Sequence, residues 1–313
     1  MNALVTGTAG FIGSTLAERL LADGADVVGI DSFTDYYPRT VKERNLRGPL
    51  AHPRFRFVES RIQDADLAAL LHDRTHVFHL AAQAGVRKSW GRDFSIYTAN
   101  NIEATQVLLE AACGMRALER LVYSSSSSVY GDHVPMPMRE DALPQPVSPY
   151  GVSKLAAEQL CYLYYANYGV PTVSLRYFTV YGPRQRPDMG FHKFLRATIL
   201  GEPITIYGDG EQTRDFTFVA DAVNANVLAA ARGIPGRVYN IGGGSRVSIN
   251  EVLDMIARVA GRRPLTTVDP AQKGDMRHTY AETWLARTDL GFSPTVELEE
   301  GLAAEYRWLA GIL

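Results

Sequence analysis

The chain opens Met1-Asn-Ala-Leu-Val-Thr-Gly7-Thr-Ala-Gly10-Phe-Ile-Gly13. Asn2 to Thr6 reads as a short buried strand, and the amphipathic run Ser14 to Ala22 reads as a helix. Between them Gly7, Gly10 and Gly13 fall at the spacing of a dinucleotide fingerprint, in the strand–turn–helix context that gives such glycines meaning. Gly7 suits the tight turn, Gly10 a close approach of backbone to a pyrophosphate, and Gly13 close packing of helix on strand. The helix start offers free N–H groups and a positive dipole end to phosphates. A second strand, Asp26 to Ile30, ends at Asp31. A carboxylate there accepts both hydroxyls of a ribose and repels a 2′-phosphate, which predicts NAD rather than NADP.

The rest of the composition sets bounds. Of 313 residues, 46% are hydrophobic and 21% charged, with a net charge of -2. These are the proportions of a globular enzyme, with no excess charge to attract nucleic acid or a membrane surface. No stretch is apolar enough to span a bilayer. The chain starts in its first strand with no basic leader, so a cytosolic location is expected. Cys113 and Cys161 are the only cysteines. Both fall in apolar helical stretches and read as buried free thiols, with no disulfide framework and no metal site.

After Asp31, Ser32 to Asn45 reads as a polar loop over the adenosine end of the cofactor. Arg54–Ser60 is expected as a strand, Asp64–Leu71 as a helix capped by Asp64, and Val77–Leu80 as a strand entering Ala81-Ala82-Gln83. Small residues there let backbone lie against a flat ligand. Ile96–Ala112 reads as a long helix bearing Asn100 and Asn101. Arg120–Tyr123 is a strand running into five serines, Tyr150–Tyr168 a helix stopped by Gly169 and Pro171, and Thr172–Arg176 a strand. This alternation predicts an α/β fold with a doubly wound parallel (Rossmann) sheet. Residues 1–178 form the expected NAD-binding domain, with a return segment at 214–242. From 179 to 313 glycines and prolines divide the chain into short elements, with helices at Asp221–Ala231, Asn250–Val259 and Glu300–Leu309 and a strand at Val238–Ile241. That part reads as a smaller, mixed substrate domain over the carboxyl ends of the strands.

Tyr150-Gly-Val-Ser-Lys154 begins a helix, and positions i and i+4 share a face. A phenol with an ordinary pKa of about 10 is a poor base at neutral pH. A nearby ammonium and an oxidised nicotinamide both favour the phenolate. The pair is therefore suited to take the proton of a hydroxyl that is losing hydride. The serine run at the end of the fifth strand brings further hydroxyls to the same edge.

With these residues in hand, the chain resembles an extended short-chain dehydrogenase/reductase of the NAD-dependent epimerase/dehydratase family, which acts on nucleotide sugars. The likeness covers nearly the whole chain: Thr6–Gly13, Asp31, Ser124-Ser-Ser-Ser-Ser-Val-Tyr-Gly131, Tyr150 and Lys154, Arg176-Tyr-Phe-Thr-Val-Tyr-Gly-Pro183, Arg214-Asp-Phe-Thr-Phe-Val219 and Gly274-Asp275. It implies Ser126, Tyr150 and Lys154 as the catalytic set. It implies a cofactor site of Gly7, Gly10, Phe11, Ile12, Gly13, Asp31, Ile62, Leu80, Ala81, Ala82, Gln83, Asn101 and Ser124, with Tyr150 and Lys154 shared. Arg214 and Asp275 would hold the nucleotide diphosphate and uridine ribose, with Tyr207 near the uracil and Arg87 beside the substrate. Two positions depart from the family pattern: Arg61 replaces an aspartate before Ile62, and Thr179 replaces an asparagine after Arg-Tyr-Phe.

Within the family, dehydratases and decarboxylases carry acidic residues where this chain has Ser127 and Ser128. The serines, Thr179 and Arg184-Gln-Arg186-Pro-Asp-Met189 are instead similar to UDP-glucuronate 4-epimerases. Hydroxyl and guanidinium donors suit the carboxylate of a hexuronate, and Ser126, Ser127, Ser128, Thr179 and Arg186 are the expected sugar contacts. The implied reaction is a hydride loan with tightly bound NAD, through a 4-keto sugar that is also a β-keto acid. Its carboxylate has to be held so that the breaking bond overlaps poorly with the ketone. Three other readings stay open: epimerisation of UDP-glucose, decarboxylation of UDP-glucuronate, and a non-catalytic NAD-binding redox sensor. The helices at Ile96–Ala112 and Tyr150–Tyr168 are the expected homodimer faces.

Overall fold

In the computed structural model, which describes residues 1–270 and 273–313, seven strands form the central sheet. They are β1 (Asn2–Thr6), β2 (Asp26–Asp31), β3 (Phe55–Glu59), β4 (His76–His79), β5 (Arg120–Ser126), β6 (Thr172–Tyr177) and β7 (Val238–Ile241). The order is β7-β6-β5-β4-β1-β2-β3, and every neighbouring pair is parallel. Such a sheet is covered on both faces, which requires near-continuous apolar strands. Leu4, Val5, Val77, Phe78, Leu121, Val122, Val173 and Leu175 supply them, all without solvent exposure. Helices Phe11–Ala22 and Val219–Arg232 cover one face, through residues such as Leu16, Ala17, Ala222 and Ala229. Helices Ala104–Ala112 and Pro149–Tyr168 cover the other, through Leu108, Leu109, Ala157 and Cys161. Strand order reverses between β1 and β4, and the crevice at their carboxyl ends is where such sheets take ligands.

Three helices of the second half, Gly190–Leu200, Ile249–Ala260 and Leu298–Ala310, pack around Phe191, Leu195, Val252, Ile256 and Leu302. Short strand pairs flank them: Ile204–Tyr207 with Thr266–Asp269, and Thr213–Asp215 with Arg246–Ser248. No described helix is long and apolar enough to cross a membrane.

Three local readings of the sequence are corrected. The expected loop to Asn45 gives way to a helix at Arg39–Leu50. Its apolar face is narrow, so periodicity does not reveal it. It is held by an Arg39–Glu43 pair at 2.7 Å and by the Asn45 amide, which donates to the Ala9 carbonyl at 3.1 Å. The next helix is shorter, Leu67–Leu71, and Asp66 rather than Asp64 caps it, accepting from Ala69 N. The long helix begins at Phe94 and passes through a π segment at Thr98–Glu103, a local widening that recurs at functional sites.

Behind the site, Arg176 on β6 makes two hydrogen bonds to Glu158, at 3.0 and 2.6 Å, and Ser125 donates to the same carboxylate at 2.6 Å. The side chains of Arg176 and Glu158 are only 4% and 2% exposed. Removing one member of a buried pair leaves the other uncompensated. Arg176→Leu is expected to lower stability by about 3–5 kcal/mol in urea denaturation; a negligible loss would show that the pair does not hold β5, β6 and the helix together.

Candidate active site

The glycine turn is built as its spacing requires. Gly7 has φ +69°, and a Cβ there would lie 2.8 Å from Ala81 N; a Cβ on Gly13 would lie 2.2 Å from the Gly7 carbonyl oxygen. Gly10 is the N-cap of the helix, with no side chain capping it, which leaves its first-turn N–H groups to an incoming anion. Asp31 accepts from Ala9 N at 3.1 Å and Phe33 N at 2.9 Å. Burial pushes its pKa up, opposed by those donors and by Lys42. The cavity at this edge is lined by Gly7, Gly10, Phe11, Ile12, Gly13, Asp31, Ile62, Leu80, Ala81, Ala82, Gln83, Ser124, Tyr150 and Lys154. A glycine cradle that any Cβ would fill, an uncapped helix start and an acid at the end of β2 fit a dinucleotide.

Asn101 takes a different place from the one expected. Its side chain accepts from Gln83 N at 2.7 Å and donates to Gln83 O at 3.0 Å and Ser153 Oγ at 2.8 Å. It lies behind the Gln83 loop and fixes that loop's backbone, while Asn100 lines the cavity. The π segment produces this one-residue exchange, which a regular helical reading does not anticipate. Tyr36, Tyr37 and Lys42 also line the cavity. Lys42 is buried, donating to the Thr34 carbonyl at 2.5 Å.

Tyr150 and Lys154 sit on the first turns of the Pro149–Tyr168 helix. Ser148 caps it by accepting from Gly151 N at 3.1 Å, and Pro149 is preorganised for the first turn. Ser126, the last residue of β5, lines a second cavity together with Tyr150. Burial is the largest influence on Tyr150 and raises its pKa; Ser126 and the Arg186 guanidinium act in the opposite sense. Lys154 lines the first cavity beside Tyr150, and its ammonium lies over the Tyr123 ring, 4.4 Å from the centroid. Burial pushes Lys154 down to about 7, with Cys161 and Glu158 opposing. Tyr97 was missed: it packs edge-on to Tyr150, and its hydroxyl donates to the Ala84 and Gly85 carbonyls at 3.1 and 2.7 Å.

A second, larger cavity adjoins the first. Arg87, Ser126, Ser127, Ser128, Thr179, Arg186, Tyr207, Arg214 and Asp275 all line it. So do Lys88, His192, Lys193 and Arg196, which no sequence motif singled out. Its three lining carboxylates are all paired: Asp188 with Arg186 at 2.9 Å, Glu202 with Arg196 at 2.8 Å, and Asp275 with Arg87 at 2.7 Å. The Arg87 guanidinium stacks over Tyr207 at 4.1 Å. Arg214 is half-buried, desolvation lowers its pKa, and it donates to the Thr213 carbonyl at 2.9 Å. Arg184 lines neither cavity and pairs with Glu18 at 2.8 Å. Tyr150, Arg186 and Tyr36 line both cavities and mark their junction.

Lys154 gives this arrangement a pH signature. Between about 7 and lysine's ordinary 10.5 the unfolded chain binds more protons than the folded one, so stability rises with pH. In urea denaturation of NAD-free protein, wild type is expected to gain on Lys154→Met as pH rises from about 7 to about 10; a constant difference would refute the buried, low-pKa lysine.

Comparison with known proteins places this site. The family model described as "NAD dependent epimerase/dehydratase family" matches residues 3–242. A solved UDP-glucuronic acid 4-epimerase from Bacillus cereus, in complex with UDP-glucuronic acid and NAD, superposes with a TM-score of 0.97 at 45% identity, covering 100% of both chains. The UDP-glucuronate 4-epimerase of Thermodesulfobacterium geofontis is 36% identical over 97% of this chain and 95% of its own. A Bacillus subtilis protein described as an uncharacterized UDP-glucose epimerase, YtcB, is 43% identical over 100% of this chain and 99% of its own. With the family model matching residues 3–242 and relatives covering nearly the whole chain, this protein belongs to the NAD-dependent epimerase/dehydratase family.

Proposed function

We propose that the protein is a UDP-glucuronate 4-epimerase that works with tightly held NAD, interconverting UDP-glucuronate and UDP-galacturonate. The observation that carries this reading is the lining of the second cavity. It offers hydroxyls at Ser126, Ser127, Ser128 and Thr179 and six cations, Arg87, Lys88, Arg186, Lys193, Arg196 and Arg214, against three carboxylates that are each paired with one of these arginines. That surface suits a ligand with a diphosphate at one end and a carboxylate at the other. A neutral UDP-glucose, the substrate suggested by the B. subtilis relative's description, leaves the hydroxyl and guanidinium donors around the sugar without an anion.

NAD would be held by the glycine turn, Asp31, the Leu80–Gln83 backbone and Lys154, and when bound it supplies a reversible hydride acceptor. Tyr150 takes the proton of the sugar 4-hydroxyl, and Ser126, which acts to lower the phenol's pKa, stabilises the phenolate so formed. The same phenol returns the proton after the 4-keto sugar has turned in the cavity. Arg214 and Asp275 hold the diphosphate and ribose, and Tyr207 lies by the uracil. Ser127, Ser128 and Thr179 fix the C6 carboxylate so that its bond to the ring stays out of line with the ketone. In this reading residues 1–178, with the return segment, hold the cofactor, and residues 179–313 supply most of the nucleotide-sugar contacts.

A homodimer completes the proposal. Ile96, Val152, Tyr162, Leu163, Tyr165 and Tyr168 are all at least 37% exposed on the two outer helices. An apolar set of this size on neighbouring helices suits burial against a second copy. Sedimentation velocity at micromolar concentration is expected to show a dimer, and a monomer would remove this part of the proposal.

Incubation with UDP-glucuronate, without added NAD and followed by proton NMR, is expected to give UDP-galacturonate. A UDP-pentose product, or turnover of UDP-glucose alone, would overturn the assignment. In the same assay Thr179→Ala is expected to raise the fraction of carbon dioxide and pentose formed, and unchanged partitioning would refute the carboxylate-holding role.

A further inference from the structure

The segment between β2 and the Arg39–Leu50 helix reaches across the crevice at one side chain. Tyr36 donates from its hydroxyl to Asp188 Oδ2 at 3.2 Å. Asp188 in turn receives Arg186 in a two-point pair, Nε to Oδ1 and Nη2 to Oδ2, both at 2.9 Å. The Tyr36 hydroxyl also rests directly on Gly85: a Cβ at that residue would lie 2.1 Å from it. The Tyr36 ring has cations on two sides, Lys88 at 5.2 Å and Arg186 at 5.8 Å. Three segments distant in sequence, at residues 36, 85 and 186–188, thus meet at one point. Tyr36 and Arg186 line both cavities, so this point lies on the wall shared by the cofactor and sugar sites.

We propose that Tyr36, Asp188 and Arg186 form a clasp over the cofactor cavity that keeps NAD bound through turnover, with Tyr36 and Asp188 as positioning residues for Arg186. The proposal rests on the epimerase reading, because an enzyme whose cofactor is oxidised and reduced within one cycle gains nothing from exchanging it. The clasp joins the segment after β2 to the segment that carries Arg186. To leave, NAD would have to part Tyr36 from Asp188 or displace the segment that carries Tyr36. A polar tether anchored on an ion pair serves this better than an apolar lid, because Arg186 stays fixed where it also borders Tyr150.

The test reads NAD release with no sugar nucleotide present. Protein purified with its NAD is diluted into buffer containing an NAD-consuming enzyme, and cofactor loss is followed over time. Tyr36→Phe removes one hydroxyl and keeps the ring; it is expected to release NAD roughly tenfold faster, the scale of one hydrogen bond to a charged group. Asp188→Asn breaks the ion pair as well and is expected to release it faster still. Adding Tyr36→Phe to Asp188→Asn should then give less than the product of the two effects, since both act through one contact. Thermal unfolding of the NAD-free proteins checks the fold, and Tyr36→Phe should leave it unchanged. Release at the wild-type rate from both variants would overturn the clasp and leave the epimerase reading standing. A wild-type protein that binds no NAD would overturn both.

Discussion

The helix that follows β1 sits so close to the strand that a single methyl group on Gly13 would collide with the Gly7 carbonyl, and much of the site depends on that approach. It places the start of the helix at the carboxyl edge of the sheet with its N–H groups uncapped. It also brings Gly7 against the backbone of Ala81, so the turn after β1 and the turn after β4 form two sides of one crevice. The parallel sheet supplies the rest of the frame. The inner strands are buried on both faces, so the polar ends of the strands are the places where function can reside.

Those ends are held from behind by buried polar contacts. Ser124 and Ser125, on the strand that delivers Ser126, bond to Tyr177 and Glu158 respectively. Glu158 lies one turn after Lys154 on the same helix and is neutralised by Arg176. A charge buried so deeply is tolerated only when paired and hydrogen-bonded. The result is that the Ser126 hydroxyl, the Tyr150 phenol and the Lys154 ammonium stand on rigid elements tied to one another. The sugar site is built otherwise, from loops and short strands that present cations, with the acids in it neutralised by arginines. One half of the cleft is thus suited to fixed proton chemistry and the other to an anionic ligand of considerable length.

Much of this was legible in the chain. Apolar strands alternating with helices, three glycines in register and Asp31 at the end of β2 led to the doubly wound sheet, and Tyr150 with Lys154 led to the helix that carries them. The Arg39–Leu50 helix was not legible, since its hold on the fold is a tether from Asn45 to the Ala9 carbonyl rather than an apolar stripe. The exchange of Asn100 for Asn101 was hidden for another reason: the resemblance named one of two adjacent asparagines, and in the π segment that holds both only the tertiary structure shows which side chain faces the cavity.

By itself, then, the sequence determined which strands are buried, where backbone can approach a pyrophosphate, and which hydroxyl, phenol and amine share an edge, because period, glycine spacing and residue chemistry are local properties. Only the tertiary structure decided that Lys154 lies over the Tyr123 ring, that every acid lining the second cavity is paired, and that Tyr36 meets Asp188 across 152 positions of chain. Burial and long-range pairing set these features. Both depend on what the fold brings within a few ångströms, which no spacing along the chain encodes.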